Sequence, residues 1–337
     1  MHPRPWAEPG LDVGHETLVG AALPRAGAEE TGCRAQGGRH RRAEVGWNSA
    51  IARMVRPDRA PAGGRSGDNG RAVNLPPPQT PASVPVLDVP LALTNYGRVL
   101  DWIDASVDHD QPGYVCCSAV HTVMLAREDP QLRAAVLGAS LVVPDGQPLV
   151  WALHALGHPR ATRVYGPDLM AAHCARAART GMPIYLYGGS SDAALAQLRR
   201  RLTERHPGLT IAGGHSPPHR ELTESEAARV AADIDGSGAR VVWVGIGVPK
   251  QEKWMAAMRP VLEAPVLIGV GAAFNFHAGL VAQAPATLQR AGLEWAYRLS
   301  REPRRLWRRY FNYNPRFVAA FARQWARERG RSGPRAG

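Results

Sequence analysis

The chain has 337 residues, enough for one large or two small domains with a sizeable core. Hydrophobic residues make up 45%, and no run approaches the about 18 apolar residues of a membrane-spanning helix, which excludes a helical integral membrane protein. The net charge is +12, but Lys250 and Lys253 are the only lysines, so the arginine excess reads as coding bias and by itself assigns no partner. The four cysteines, Cys33, Cys116, Cys117 and Cys174, show no metal-ligand spacing and fit a reducing cytoplasm. The N-terminus, MHPRPWAEPG, lacks the apolar core of a signal peptide.

Residues 1–84 are rich in Gly, Pro, Ala and Arg and show no sustained periodicity. They are expected to be a disordered extension, or sequence upstream of the true start codon. Beyond them, helical and strand patterns alternate. A helical pattern around Tyr96–Val107 precedes a buried strand, YVCCSAV (114–120), and a second helical run over 121–137. LVVPD (141–145) is a short strand ending in an acid. Then come a helix over 166–181, a strand IYLYGG (184–189), a helix over 191–208 and a strand LTIAGG (209–214). A helix over 222–236 opens with a capping-box pattern. ARVVWVGIG (239–247), a helix from Lys250 and PVLIGVGAAF (265–274) complete the series. This alternation predicts an α/β fold: a Rossmann-like, mostly parallel sheet flanked by helices, with a basic amphipathic helical appendage at the C-terminus.

In such sheets ligands bind beyond the carboxyl ends of the strands, which singles out four stretches. GGSSD brings Gly188 and Gly189 to a helix start, where bare backbone and unpaired N–H groups can hold a phosphate; an ordinary capped turn is the alternative. GIGVPKQE offers Gly245, Gly247, Lys250, Gln251 and Glu252. It lacks the third glycine of a dinucleotide fingerprint and the pattern of a Walker A loop. Lys250 can pair with a diphosphate, Gln251 with a base or sugar and Glu252 with a ribose hydroxyl; a capped surface helix is the competing explanation. Asp145, at a strand's carboxyl end, is placed for a general base or belongs to an Asp-Gly turn. Arg163 is a candidate anion clamp or a solvated loop residue. The DxD pairs Asp108/Asp110 and Asp233/Asp235 precede strands, on the opposite edge of the sheet, and read as turn residues. No metal is expected.

From Arg290 onward there are thirteen Arg and three acids, with Trp, Tyr and Phe interspersed. Phe317, Val318, Phe321 and Trp325 share a helical face. Such a helix suits an anionic membrane surface first and a nucleic acid second, or packs its stripe on the domain.

Taken together, VPDGQPLVW, RVYGPDL, LYGG, VGIGVPKQEKW, IGVGAAFNFHAG, QAP and GLEWAYRLSREPRRLWRRY resemble the bacterial WecG/TagA/CpsF glycosyltransferases, in order and spacing from about Val86 to Arg316. The resemblance implies a glycosyltransferase domain over 85–290 and an Arg-rich, membrane-associating appendage over 291–337. It implies a metal-independent inverting transfer from a UDP-sugar to a polyprenyl-diphosphate-linked sugar, on the cytoplasmic face of the membrane. It implies no cofactor, no nucleic-acid partner and, in some members, a homo-oligomer. The family's acidic catalytic residue falls on Asp145, its diphosphate- or acceptor-contacting arginine on Arg163, and its amide on Gln251. The docking segment supplies Arg298, Arg304, Arg305 and Arg309. Three positions depart from the pattern. Cys117 and Ala119, flanking Ser118, stand where the family has Thr and Asn, and Asn275 replaces a carboxylate. These departures keep a second reading open, a membrane-bound UDP-sugar-binding or scaffold protein.

Overall fold

The computed structural model describes residues 76–331, so the extension over 1–75 lies outside the described residues. The described part opens with a hairpin of β1 (Ser83–Val86) and β2 (Val89–Ala92). Residues 83 and 84, expected to lack structure, therefore belong to a strand. The hairpin turns at Leu87 and Asp88, both with positive φ (51° and 71°). Two such residues match the right-handed twist of the strands, at some steric expense for Leu.

Six strands then form one sheet: β3 (Gly113–Ser118), β4 (Leu141–Pro144), β5 (Ile184–Gly188), β6 (Ile211–His215), β7 (Val241–Gly245) and β8 (Val266–Gly269). Their spatial order is β4-β3-β8-β7-β5-β6, and every pairing is parallel. The expected α/β, Rossmann-like architecture is present. Because strand side chains alternate, each strand feeds two cores. Cys116, Val142, Tyr185, Tyr187, Val242, Val244 and Leu267 face one layer of helices, while Val115, Val143, Leu186, Trp243 and Ile268 face the other. Covered on both faces, the strands read as near-continuous apolar runs.

On the second side lie α1 (Tyr96–Asp108), α5 (Gly166–Thr180), α6 (Asp192–Arg205) and α9 (Ala273–His277). On the first lie α2 (Val120–Ala126), α3 (Pro130–Leu137), α4 (Gln147–Ala155), α7 (Glu224–Gly236) and α8 (Lys250–Met258). Local chemistry fixes their ends. Ser191 caps α6 by accepting from the Ala194 N–H, Gly181 stops α5 with φ 74°, and Thr223 and Glu226 complete the capping box of α7. The helical run over 121–137 is two helices, because Pro130 cannot follow a helical residue and instead starts α3, capped by Asp129. β8 ends at Gly269, earlier than its apolar run suggests, since Gly271 turns the chain at φ 51°.

The C-terminal helices α10 (Ala286–Arg290), α11 (Glu294–Arg301) and α12 (Pro303–Arg331) run over the first layer, where α12 packs on α2. Of the readings open for the tail's apolar face, packing on the domain is present for much of it. Phe317 is 5% exposed and stacks on Phe321 at 6.0 Å, and Trp325 donates its Nε1–H to the Ala155 carbonyl. Val318, one position on, is 65% exposed. The stripe thus splits, most of it serving the core, as a long amphipathic helix does when a partner layer is at hand. A different row, Trp307, Phe311 and Val318, faces outward. At the far end the Gln324 amide donates to the Pro85 carbonyl and accepts from the Leu87 N–H, both at 2.8 Å, clamping the hairpin turn. Among the described residues no helix is long and apolar enough to cross a membrane.

Candidate active site

Asp145 follows β4 directly. Its N–H donates to the Ser118 carbonyl at the end of β3, so two strand ends hold its backbone. The Gly166 N–H, at the start of α5, donates to its carboxylate Oδ1 at 2.6 Å. Burial pushes this carboxyl up to about 6; Arg163 and the Gly166 N–H oppose the shift, Glu294 adds to it and Arg298 opposes it. The result is a carboxyl held close to neutrality at the carboxyl edge of the sheet.

The carboxylate opens onto a cleft. One wall is the α4 start, Gly146 to Pro148. A second is Ala119 and Val120 at the start of α2. The third is C-terminal: Gln289, Gly292, Glu294, Trp295 and Arg298, then Arg309, Tyr310 and Asn314 of α12. Arg163 sits between the walls. Its Nε donates to the main-chain oxygen of Asp145 at 2.5 Å, its Nη2 pairs with Glu294 at 2.5 Å, and its guanidinium lies 4.0 Å over the Tyr165 ring. Arg298 is held over the Phe276 ring at 5.5 Å, and its buried Nε has no hydrogen-bond partner. Three guanidinium groups and one near-neutral carboxyl therefore share a pocket. Such a set can hold a phosphate-bearing ligand beside a proton acceptor.

The glycine-rich ends lie further along the same edge. β7 is three strands from β4, about 14 Å away, and β5 is one strand beyond. Gly188 and Gly189, with φ 138° and 105°, leave β5 for α6, and Gly247, with φ 83°, leads into α8. Lys250, first residue of α8, is exposed. These residues do not line the arginine cleft, so the edge carries two separate anion-suited stations.

A family model described as Glycosyl transferase WecG/TagA/CpsF family matches residues 84–331. The chain belongs to this glycosyltransferase family. The match begins inside β1 and ends at the last residue of α12, so the C-terminal helices are included.

Several expected site residues of this glycosyltransferase sit elsewhere than their motifs imply. Gln251 and Glu252 are fully enclosed: Gln251 donates its amide to Glu252 Oε1 at 2.9 Å, while Glu252 Oε2 and Gln251 Oε1 have no partner. Burial pushes Glu252 up to about 7, against the Gln251 hydrogen bond and Arg309. Cys117 and Ser118 end β3, also buried; burial, then Asp145, raises the Cys117 thiol, and the Ser118 hydroxyl has no partner. Asn275 is half-buried on α9 and Arg304 is exposed on α12; the Arg305 side chain lies outside the described residues. Lys253, noted only as a rare lysine, pairs with Asp129 at 2.6 Å and ties α8 to α3. Three of the four DxD residues have partners: Asp110 pairs with Arg240, Asp233 accepts from the Tyr185 hydroxyl, and Asp235 accepts from the Glu263 N–H. Among the described residues no three His, Cys, Asp or Glu side chains group as metal ligands.

Glu294 lines the cleft and pairs with Arg163, yet was not among the expected site residues. It stood in the GLEW stretch and among three acids of a basic tail, with no role attached, and its partner Arg163 is 131 positions away. Trp295 and Tyr310, meeting edge to face at 6.0 Å, were likewise invisible as cleft walls.

Proposed function

We propose that this glycosyltransferase is an inverting, metal-independent enzyme that moves a sugar from a UDP-sugar to a polyprenyl-diphosphate-linked saccharide, in the assembly of a cell-surface polysaccharide or teichoic acid-type polymer. The observation that carries the reading is Asp145 at the strand edge, enclosed, near-neutral and facing a cleft lined by Arg163, Arg298 and Arg309.

The donor nucleotide belongs at the glycine-rich ends of β5 and β7. There Gly188, Gly189 and Gly245 shape the turn out of the sheet, Gly247 leaves open space for close backbone approach, and the exposed Lys250 meets the diphosphate. The arginine cleft takes the anionic acceptor headgroup. Asp145 accepts the proton of the acceptor hydroxyl as its oxygen bonds to the anomeric carbon. The bond from that carbon to the UDP oxygen breaks on the opposite face, and UDP leaves as an anion. Cations and backbone N–H groups stabilise the leaving charge, the part a metal plays elsewhere.

The lipid acceptor calls for a membrane-proximal site. Trp307 (48% exposed) and Phe311 (67%) lie one turn apart on α12, next to the exposed Arg304 and Arg308, and Trp151 and Trp295 are exposed near the cleft mouth. An apolar row beside arginines suits the interface of an anionic bilayer. The protein is then peripheral, on the inner face of the plasma membrane.

The test is transfer by the full chain to a synthetic polyprenyl-diphosphate-GlcNAc acceptor, with a panel of UDP-sugars and EDTA present, lipid products being read by mass spectrometry. A product from one donor is expected. UDP binding without any transfer, on this and other lipid-linked acceptors, makes the chain a UDP-sugar-binding relative. Transfer abolished by EDTA and restored by a divalent ion overturns metal independence.

A further inference from the structure

Two acids line the cleft, and the reaction uses only Asp145. The other, Glu294, comes from the C-terminal helices. We propose that Glu294 is a positioning residue: by pairing with Arg163 it keeps that guanidinium off the Asp145 carboxylate, so the base stays free to accept a proton. This inference rests on the reading of Asp145 as the base.

The geometry is specific. Arg163 touches Asp145 through its main-chain oxygen, not its carboxylate. The carboxylate's hydrogen bond comes instead from the Gly166 N–H. The outer nitrogen of Arg163, the one able to swing toward that carboxylate, is taken by Glu294, and Tyr165 supports the guanidinium plane from below. Both partners of the ion pair are largely buried, with side chains 16% and 12% exposed. A guanidinium that loses such a partner in a part-dry site turns to the nearest carboxylate, because charge-assisted pairing is strongest there and an unpaired buried charge is costly. The nearest carboxylate is the base itself. A base locked to an arginine holds its charge more firmly and takes a proton less readily.

The groups facing Asp145 agree in sign. Arg163 and Arg298 favour its charged form, as does the Gly166 N–H, while Glu294 and burial disfavour it. Around it are the Tyr96 hydroxyl of α1, the Cys117 thiol of β3 and the Tyr165 hydroxyl, all raised chiefly by burial and so neutral, with Arg309 across the cleft. Removing Glu294 takes away one charge that opposes ionisation and releases another that favours it. Both changes move the Asp145 titration downward.

The experiment follows the Asp145 carboxyl by 13C NMR in full-length protein labelled at aspartate, assigned with Asp145→Asn. In Glu294→Ala the midpoint is expected to fall from about 6 by about one pH unit or more. The acid limb of the transfer-rate profile should move down with it. kcat should drop, by up to about tenfold per unit of downward shift, with KM for the donor held, because a weaker base drives proton transfer less. Glu294→Asp should restore part of both. Should Glu294→Ala fail to fold, Glu294→Gln removes the charge while keeping the side-chain length. A midpoint that stays put or rises in the folded variants overturns the inference, even if activity falls, since that marks a merely structural contact. A wild type without transfer at any pH overturns the Asp145 reading instead, and the NMR titration still decides the coupling.

Discussion

Gly188 and Gly245 face each other across β5 and β7 so closely that a Cβ added to Gly188 would lie 2.7 Å from the carbonyl carbon and oxygen of Gly245. Gly188 also has φ 138°, a region in practice reserved for glycine. Gly188→Ala is therefore expected to destabilise the fold by about 3 kcal/mol or more, combining a backbone clash with strain. Gly247 has φ 83° but nothing within 4 Å of a built Cβ. Gly247→Ala should cost only about 1–2 kcal/mol, the left-handed penalty alone. Urea denaturation of both variants checks the order; equal losses would mean that crowding at Gly188 is relieved by small shifts.

Asp145 sets a pH dependence of opposite sign for activity and stability. Its folded carboxyl, at about 6, binds its proton more tightly than an unfolded aspartate near 3.8. As a base it works above about pH 6 and fails below. For stability the sign reverses: the ionised form is disfavoured in the fold, so its cost is present above about pH 6 and fades as pH falls toward 4. Asp145→Asn keeps an oxygen for the Gly166 N–H and should stabilise the protein at pH 7.5 by on the order of 2 kcal/mol, with no gain at pH 4. The same change should lower kcat at least about a hundredfold while UDP still binds. Thermal melts at the two pH values, with transfer assays, check both halves.

The two faces of α12 separate membrane contact from folding. Replacing Trp307 and Phe311 together by Ser should release the protein from anionic liposomes while the melting temperature stays within about 2 °C, because both are exposed. Phe317→Ala should instead cost about 3–5 kcal/mol, since Phe317 is buried in the core beside Phe321. Liposome co-sedimentation of the folded double variant decides the point. Full retention would move the membrane face elsewhere.

Periodicity in the sequence identified most strands and helices, because a strand buried on both faces and a helix with one apolar stripe leave different imprints. Strand order left none. β8, last in the chain, sits in the middle beside β3, and no local pattern says which strands are neighbours. In the same way Phe317 and Val318 are adjacent in sequence and share a stripe within about 100°, yet one is buried on α2 and the other is bare. Periodicity finds a face without saying what covers it. Asp145 was legible because an acid ending a parallel strand is constrained by the fold itself. Glu294 was not, since a contact with Arg163 made from the far end of the chain gives it its meaning. Gln251 and Glu252, conspicuous in their motif, turned out to face inward.

The Gln324 clamp on the hairpin at Pro85 and Leu87 joins nearly the last described helical turn to the first strand, while Arg309, Tyr310 and Asn314 on the same helix form the third wall of the cleft. During translation the sheet and Asp145 emerge well before that helix does. The edge that carries Asp145 therefore stays open, with neither wall nor clamp, until α12 has left the ribosome. Losing α12 would remove the cleft's third wall and the hairpin's anchor together.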